Sequence, residues 1–538
     1  MDRRQFLASL AAASPLPGRA PARPPNVIVI LADDLGFSDL GCFGSEIDTP
    51  NLDRLARGGV RFTHMYNAAR CCPTRAALLT GLYPHQAGVG RMVQDENLPG
   101  YRGRLNESCV TLAEVLSGAG YRTFMSGKWH VGEDPPHWPT ARGFHRYYGL
   151  VSGASNYYSL DPGRRMAIDG QAAEPPDRGF YFTDAFTDHA LRMLDGRPPG
   201  QPFFLYLAYT APHWPLHALE AEIAKYRGRY RMGWDALRRE RHRRMVKLGL
   251  ADPRWPLPPR DARVPEWAAA PDKEWQASRM AVYAAMIDRM DQGIGRLLAR
   301  LRDRGEEDDT LIMFMADNGG CAETIAPNFR NLDGKVRTTG GRLVRYGNLP
   351  SIPPGPPDTF QSYGPEWAQV SNTPFREYKT SVFEGGIASP FIAHWPAALR
   401  QRGAIVPQPG HVIDILPTVL EAAGVPYPRH YNGRAITPAE GVSLLPALRS
   451  AKVQPRPAPL FWEHFGNRAI RDGDWKLVAP GNRPWELHNL AAARSEVDDL
   501  AAKEPQRARQ LEQAWNDWAR RAHVLRPEAG PRTRPPEG

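Results

Sequence analysis

The chain of 538 residues has little cysteine, no long apolar run and no compact group of zinc ligands. Five cysteines, at positions 42, 71, 72, 109 and 321, are too few to staple a chain of this length, so a disulfide scaffold is excluded. No stretch is apolar for long enough to cross a bilayer, so no stable membrane span is expected. No histidine–cysteine group has the spacing of a zinc site. The adjacent pair Cys71-Cys72 lacks the two-residue spacer of a redox motif. A net charge of +10 favours acidic partners, but the basic residues are spread along the chain. The one dense patch, Arg238 to Lys247, has no interleaved aromatics and fits the solvated face of a helix, so nucleic acid is not expected as a partner.

What is present suits one large domain and a smaller one. Proline and glycine number 53 and 49, which points to long loops. Residues 1–22 read as an export segment. Arg3-Arg4-Gln5-Phe6-Leu7 has the form of a twin-arginine signal, a short apolar stretch follows to Ala13, and Ala20-Pro21-Ala22 offers a small-residue cleavage site. A periplasmic or secreted protein is therefore expected.

The stretch Cys71-Cys72-Pro73-Thr74-Arg75 precedes an apolar run that stops at Gly81. Pro73 suits the start of a helix and Gly81 its end. Cys71 and Cys72 then stand at a helix N-terminus, where free amides favour an anion. Arg75 adds a fork of donors suited to a tetrahedral oxyanion. A buried, inert cysteine pair capping a helix fits these five residues equally well.

Elsewhere, buried strand patterns deliver polar residues. Asn26 to Leu31 is a β-branched run of the kind found in central parallel strands, and Asp33-Asp34 follow it. Thr310 to Met315 runs into Asp317-Asn318. In open α/β sheets ligands bind beyond the carboxyl ends of strands. Four oxygens from two such ends are what a hard divalent cation, Ca²⁺ or Mg²⁺, requires. Tyr121 to Met125 delivers Lys128 and His130, and Pro202 to Tyr209 delivers His213 between prolines. Lys128 and His130 lie just past a strand end, where surface turn residues are found as well, and His213 is well placed for proton transfer.

The remaining chain reads as scaffold. Thr49-Pro50 opens a helix, Val60 to His64 is a short strand, and Thr111 to Ala119 is helical. Trp275 to Arg304 carries a stripe from Met280 to Leu301 that reads as core packing alone. Residues 321–378 lack periodicity and read as a long loop shaping a substrate mouth. Lys379 to Gly386 leads to a strand at Pro390 to Ala393, and His411 to Ala423 is helical. The catalytic domain is expected over 25–450. After a proline-rich linker, residues 460–525 read as a small α+β domain, with a disordered tail at 526–538.

Taken together these motifs resemble the sulfatase family. Cys71-x-Pro73-Thr74-Arg75 matches its C-x-P-S/T-R signature. Asp33-Asp34, Thr49 to Asp53, Gly127-Lys128-Trp129-His130, His213, Asp317-Asn318 and Lys379…Glu384-Gly385-Gly386 follow in the family's order. The resemblance implies an α/β fold: an alkaline-phosphatase-like sandwich around a large, mixed, mostly parallel sheet, with a smaller C-terminal α+β domain. It implies hydrolysis of an aryl or carbohydrate sulfate ester. It also implies that a separate maturation enzyme converts Cys71 to formylglycine, whose hydrate attacks sulfur with one hydroxyl and releases sulfate through the other. Asp33, Asp34, Asp317 and Asn318, with a hydroxyl of modified Cys71, would hold one Ca²⁺. Arg75 would hold the hydrate, and Lys128 and Lys379 would clamp the sulfate. His213 would protonate the leaving alcohol and His130 would assist release, although the two histidine roles can be exchanged. Cys72 departs from the serine or other small residue common at its position and is expected to be inert. A phosphonate or phosphate ester hydrolase with the same modified cysteine is the alternative.

Overall fold

The computed structural model describes residues 24–332 and 334–525. The export segment and the C-terminal tail lie outside these residues. The centre is an eleven-stranded sheet. Its seven longest strands are β1 (Asn26–Ala32), β2 (Val60–Tyr66), β3 (Arg122–Gly127), β4 (Arg146–Leu150), β5 (Phe203–Ala208), β6 (Thr310–Ala316) and β7 (Ala388–His394). Across the sheet they run β2-β7-β6-β1-β5-β3-β4. β1 lies parallel to both β5 and β6, and every residue of these three strands is buried. That accounts for their unbroken apolar sequences, since a strand covered on both faces has no polar side.

Only β7 among the seven runs against its neighbours, pairing antiparallel with β2 and β6. Its amino end therefore lies at the sheet edge where β1, β6, β5 and β3 have their carboxyl ends. Segments that enter β7 and segments that leave the other strands converge on this one edge.

The long helix spans Lys273–Asp303, and the stripe Met280, Tyr283, Ile287, Met290, Ile294, Leu297 and Leu301 is buried as its spacing predicts. Core packing is not its whole use. The Tyr283 hydroxyl lies 3.1 Å from the Asp34 carbonyl and 2.8 Å from Asp39. The stretch 321–378 is also less irregular than its sequence suggests. It contains a helix, Gly364–Ser371, held by the fully buried Trp367. It carries in addition a short strand pair, Arg345–Tyr346 with Thr359–Phe360.

The basic patch corrects a second expectation. It lies on the helix Gly233–Leu248, but Arg238 and Arg241 face inward. Arg241 is fully buried between Asp39 at 2.6 Å and Glu46 at 2.9 Å. The dense charge hid an arginine whose role is to neutralise buried carboxylates.

After residue 459 the chain builds a separate antiparallel sheet of β8 (Leu460–His464), β9 (Asn467–Asp472), β10 (Trp475–Ala479) and β11 (Glu486–Asn489), in that order. The helix Pro505–Arg521 packs against it through Trp515 and Trp518.

Arg241→Met leaves two carboxylates buried without their cation, a loss of about 3–5 kcal/mol for a broken internal pair. Calorimetry should show a clear fall in Tm, whereas Arg239→Met on the exposed face should leave Tm unchanged.

Candidate active site

The helix that carries the cysteines begins at Cys71 itself and ends at Thr80, with Gly81 in the left-handed conformation at φ 68°. All ten of its residues are buried. Thr74 ties this helix to the sheet edge. Its hydroxyl donates to the Asp317 carbonyl at 2.6 Å and accepts from the Ala68 amide at 2.9 Å. Arg75, one turn in, reaches Asp317 at 2.7 Å and Asp33 at 3.5 Å, and donates to the Lys128 carbonyl at 2.8 Å.

The in-register pairing of β1 with β6 sets Asp33 beside Asp317 and Asp34 beside Asn318. The Asp34 amide donates to Asp317 at 3.2 Å, and the Asn318 amide group donates to Asp34 Oδ1 at 2.6 Å. Lys128, after β3, bonds Asp33 at 2.6 Å. Lys379, on the lead-in to β7, bonds Asp34 at 3.0 Å and lies 3.2 Å from His213 Nε2. Three carboxylates, Asp33, Asp34 and Asp317, thus meet three cations, Arg75, Lys128 and Lys379. The sequence-derived residues come together in one buried cluster.

The electrostatics are those of a crowded, dry site. Burial and the neighbouring Asp317 push the Asp33 carboxyl well up, against the pull of Lys128 and Arg75. Two oxygens, Asp33 Oδ1 and Asn318 Oδ1, are buried without a hydrogen-bond partner. Unpaired buried oxygens on adjoining strand ends are what a hard cation would satisfy, so the donor set fits Ca²⁺ or Mg²⁺. Asp34 sits at φ 63° and His130 at φ 58°, left-handed conformations that these residues adopt at a cost and that aim them inward.

The two histidines are distinguished by their neighbours. His130 Nδ1 lies 3.3 Å from Cys71 Sγ. His213 stands across the cluster. Its Nδ1 is 2.6 Å from the Trp214 carbonyl, so that nitrogen carries the proton and Nε2 accepts from Lys379. Burial, then Lys379 and Lys128, hold His213 well below its ordinary range. The cysteines divide as well. A hydrogen bond from Cys72 brings the Cys71 thiol well down, while burial and that same contact push Cys72 well up. Cys72 Sγ faces the Arg91 carbonyl at 3.2 Å and the Met92 sulfur at 3.6 Å, away from the carboxylates.

Sequence reasoning missed Glu323. It accepts from Trp214 Nε1 at 2.9 Å and from Arg70 at 3.1 Å, and stands 4.0 Å from Lys379. It lies in an aperiodic stretch, where no spacing marks it. A cavity of about 690 Å³ opens beside it, lined by Lys379, Thr380 and Ser381, by Asn467 of the C-terminal sheet and by Arg483 in the bend between β10 and β11.

Comparison with known proteins places the chain in a family. The sulfatase family profile matches residues 25–425. An uncharacterised sulfatase of Schizosaccharomyces pombe is 36% identical, covering 92% of this chain and 94% of its own. The arylsulfatase of Klebsiella aerogenes is 36% identical over 81% of this chain and 94% of its own, and human arylsulfatase A 31% over 88% and 77%. Among solved structures, Ps i-CgsB in complex with k-i-k-neocarrahexaose superposes with a TM-score of 0.67 at 26% identity, covering 94% of each chain. The Pseudoalteromonas sulfatase PsFucS1 shares the fold with a TM-score of 0.60 at 22% identity, over 93% of this chain and 91% of its own. The fold is the alkaline-phosphatase-like sandwich, and the chain belongs to the sulfatase family of sulfate ester hydrolases.

Proposed function

We propose that this chain cleaves an aryl or carbohydrate sulfate monoester through a formylglycine formed from Cys71, with one Ca²⁺ held by Asp33, Asp34, Asp317, Asn318 and the modified residue 71. The observation that carries the reading is the pair of unpartnered buried oxygens, Asp33 Oδ1 and Asn318 Oδ1, in a cluster otherwise balanced in charge. The cation supplies polarisation of the sulfate group, and the aldehyde hydrate supplies two hydroxyls on one carbon.

The chain's own groups do the rest. A divalent ion added to three carboxylates and three cations leaves the site positive, so it draws in an anion. Lys128 and Lys379 each keep ammonium donors beyond their carboxylate partners and can hold sulfate oxygens as charge develops. Arg75 fixes residue 71 against the strand ends. His130, at 3.3 Å from the side chain of residue 71, takes the proton in the release step. His213 and Lys379 face the opposite side and share a proton between Nε2 and Nζ. His213, held below its ordinary range, is neutral at rest, so Lys379 carries that proton until the leaving alcohol needs it.

Maturation requires a separate formylglycine-generating enzyme, and the Arg3-Arg4 segment supports export to the periplasm or beyond. Among the described residues no helix is long and apolar enough to cross a membrane. Cys72 is an inert neighbour, kept as a thiol by burial.

A mass spectrum of the tryptic peptide carrying Cys71 should show sulfur replaced by an aldehyde oxygen, and Cys71→Ala should abolish turnover with the fold intact. Full activity on an unmodified thiol would reject the mechanism. Lys128→Ala should lower kcat roughly 10²- to 10³-fold, as expected for a lost transition-state donor. Titration calorimetry of Asp317→Ala should show Ca²⁺ affinity reduced by at least about tenfold, and an unchanged isotherm removes Asp317 from the metal site. Turnover of an aryl phosphonate above that of the matching aryl sulfate would favour the phosphonate hydrolase instead.

A further inference from the structure

Lys379 reaches the site from neither a strand's carboxyl end, as Lys128 does, nor the helix that carries Arg75. It sits on a loop between Asn372 and β7, and that loop is gripped at three points by the chain after residue 459. Arg376 donates to the Glu496 carbonyl at 2.8 Å and to Glu486 of β11 at 3.0 Å. The Thr380 carbonyl accepts from Asn467 of β9 at 3.3 Å. The Glu384 amide donates to the Glu496 carboxylate at 2.6 Å.

The third grip is part of a fully buried ionic cluster. Glu384 Oε1 pairs with Lys476 of β10 at 2.9 Å, and its Oε2 accepts from Arg494 at 2.6 Å and from Tyr66 at 3.0 Å. Lys476 also pairs with Glu496 at 2.8 Å. Two carboxylates and two cations therefore balance, and all four side chains have no exposure to solvent. Arg494 donates to the Thr63 carbonyl of β2 as well, so the cluster binds the main sheet, the loop and the C-terminal sheet into one unit.

The loop's own backbone transmits this anchoring. Gly385 and Gly386 fold back against residues 376–381. A Cβ at Gly386 would collide with the Ser381 carbonyl, and one at Gly385 with the carbonyls of Arg376 and Glu377. The Gly385 amide bonds the Arg376 carbonyl at 3.0 Å, and the Thr380 amide bonds the Ala69 carbonyl at 2.8 Å, two residues before Cys71. Close backbone contacts therefore link Glu384 to Lys379.

We infer that the buried cluster of Glu384, Lys476, Arg494 and Glu496 sets the position of Lys379, which makes the C-terminal sheet a positioning element for the reaction. None of the four touches a reacting atom. Their effect reaches substrate only through the Lys379 ammonium, whose sulfate-clamping role rests on the function proposed above. A buried, charge-balanced ion cluster suits this task, because moving one member leaves a charge buried without its partner.

A double-mutant cycle on the matured, Ca²⁺-loaded full chain tests this, with a chromogenic aryl sulfate as substrate and kcat corrected for the folded fraction by near-UV circular dichroism. Lys476→Gln should lower kcat about tenfold or more, as misplacement of a charge-stabilising group does. In the Lys379→Ala background the same change should lower kcat less than about twofold, because the group it positions is gone. Lys476→Arg should restore most of the lost kcat. Where Lys476→Gln fails to fold, Glu496→Gln takes its place, since it keeps the side-chain shape and removes one charge from the cluster. About a threefold loss in the native background, vanishing in Lys379→Ala, is then expected. Equal fractional losses in both backgrounds overturn the inference and leave the cluster a purely structural contact. Full turnover by Lys379→Ala itself overturns the role of Lys379, and with it the positioning.

Discussion

The contact between Lys128 and Asp33, 2.6 Å long and without solvent exposure at either end, states the constraint under which the molecule is built. Taking a single carboxylate out of water costs several kcal/mol unless a cation and further hydrogen bonds replace the lost hydration. This protein buries three in one place, with Arg75, Lys128 and Lys379 around them. Those cations come from three distant parts of the sequence and meet because one edge of one sheet collects them. Loss of any element that delivers a cation leaves the remaining charges unbalanced. The fold and the site are consequently a single electrostatic object.

Sheet direction does most of the collecting. Parallel β1, β3, β5 and β6 each discharge their following residues at the same edge, which brings Asp33, Lys128, His213 and Asp317 to one point. A parallel strand in the place of β7 would send Lys379 to the far side of the sheet. Because β7 is antiparallel, its approach, with Lys379 and the Gly385-Gly386 turn, arrives where the others leave. Cys71 reaches the same edge from the end of β2, and Thr74 pins its helix to the Asp317 carbonyl.

The parts legible in the sequence were those with a local physical signature. Val27 to Leu31 and Leu311 to Met315 announced buried strands through unbroken apolar runs, and the polar residues after them read as site residues for that reason. Gly81 marked the helix stop that the left-handed φ confirms. What was not legible depends on partners far away in the chain. Arg241 looked like one charge among many on a basic helix, because its need for Asp39 and Glu46, some two hundred residues distant, leaves no mark on spacing. Glu323 lies in an aperiodic stretch and gains its meaning only from Trp214, Arg70 and Lys379. Tyr283 fitted its apolar stripe so well that its hydroxyl, aimed at Asp34, went unread.

Charge explains which class of group the site accepts, and it also shows where finer choice must be made. The inner groups facing the carboxylates are all donors: the Arg75 fork, the Lys128 and Lys379 ammonium groups and the helix N-terminus at Cys71. A set made of donors suits a tetrahedral oxyanion without protons of its own, and a sulfate ester answers to that description. A phosphonate monoester carries the same single charge and nearly the same shape, so these donors have little by which to refuse it. Discrimination among such esters falls to the groups around the leaving alcohol. Just outside the donor set stand His213, held well below its ordinary range beside Lys379, and Glu323 with Trp214 next to the cavity. The inner donor set therefore accounts for an oxyanion at the site and leaves the choice among such esters to groups outside it.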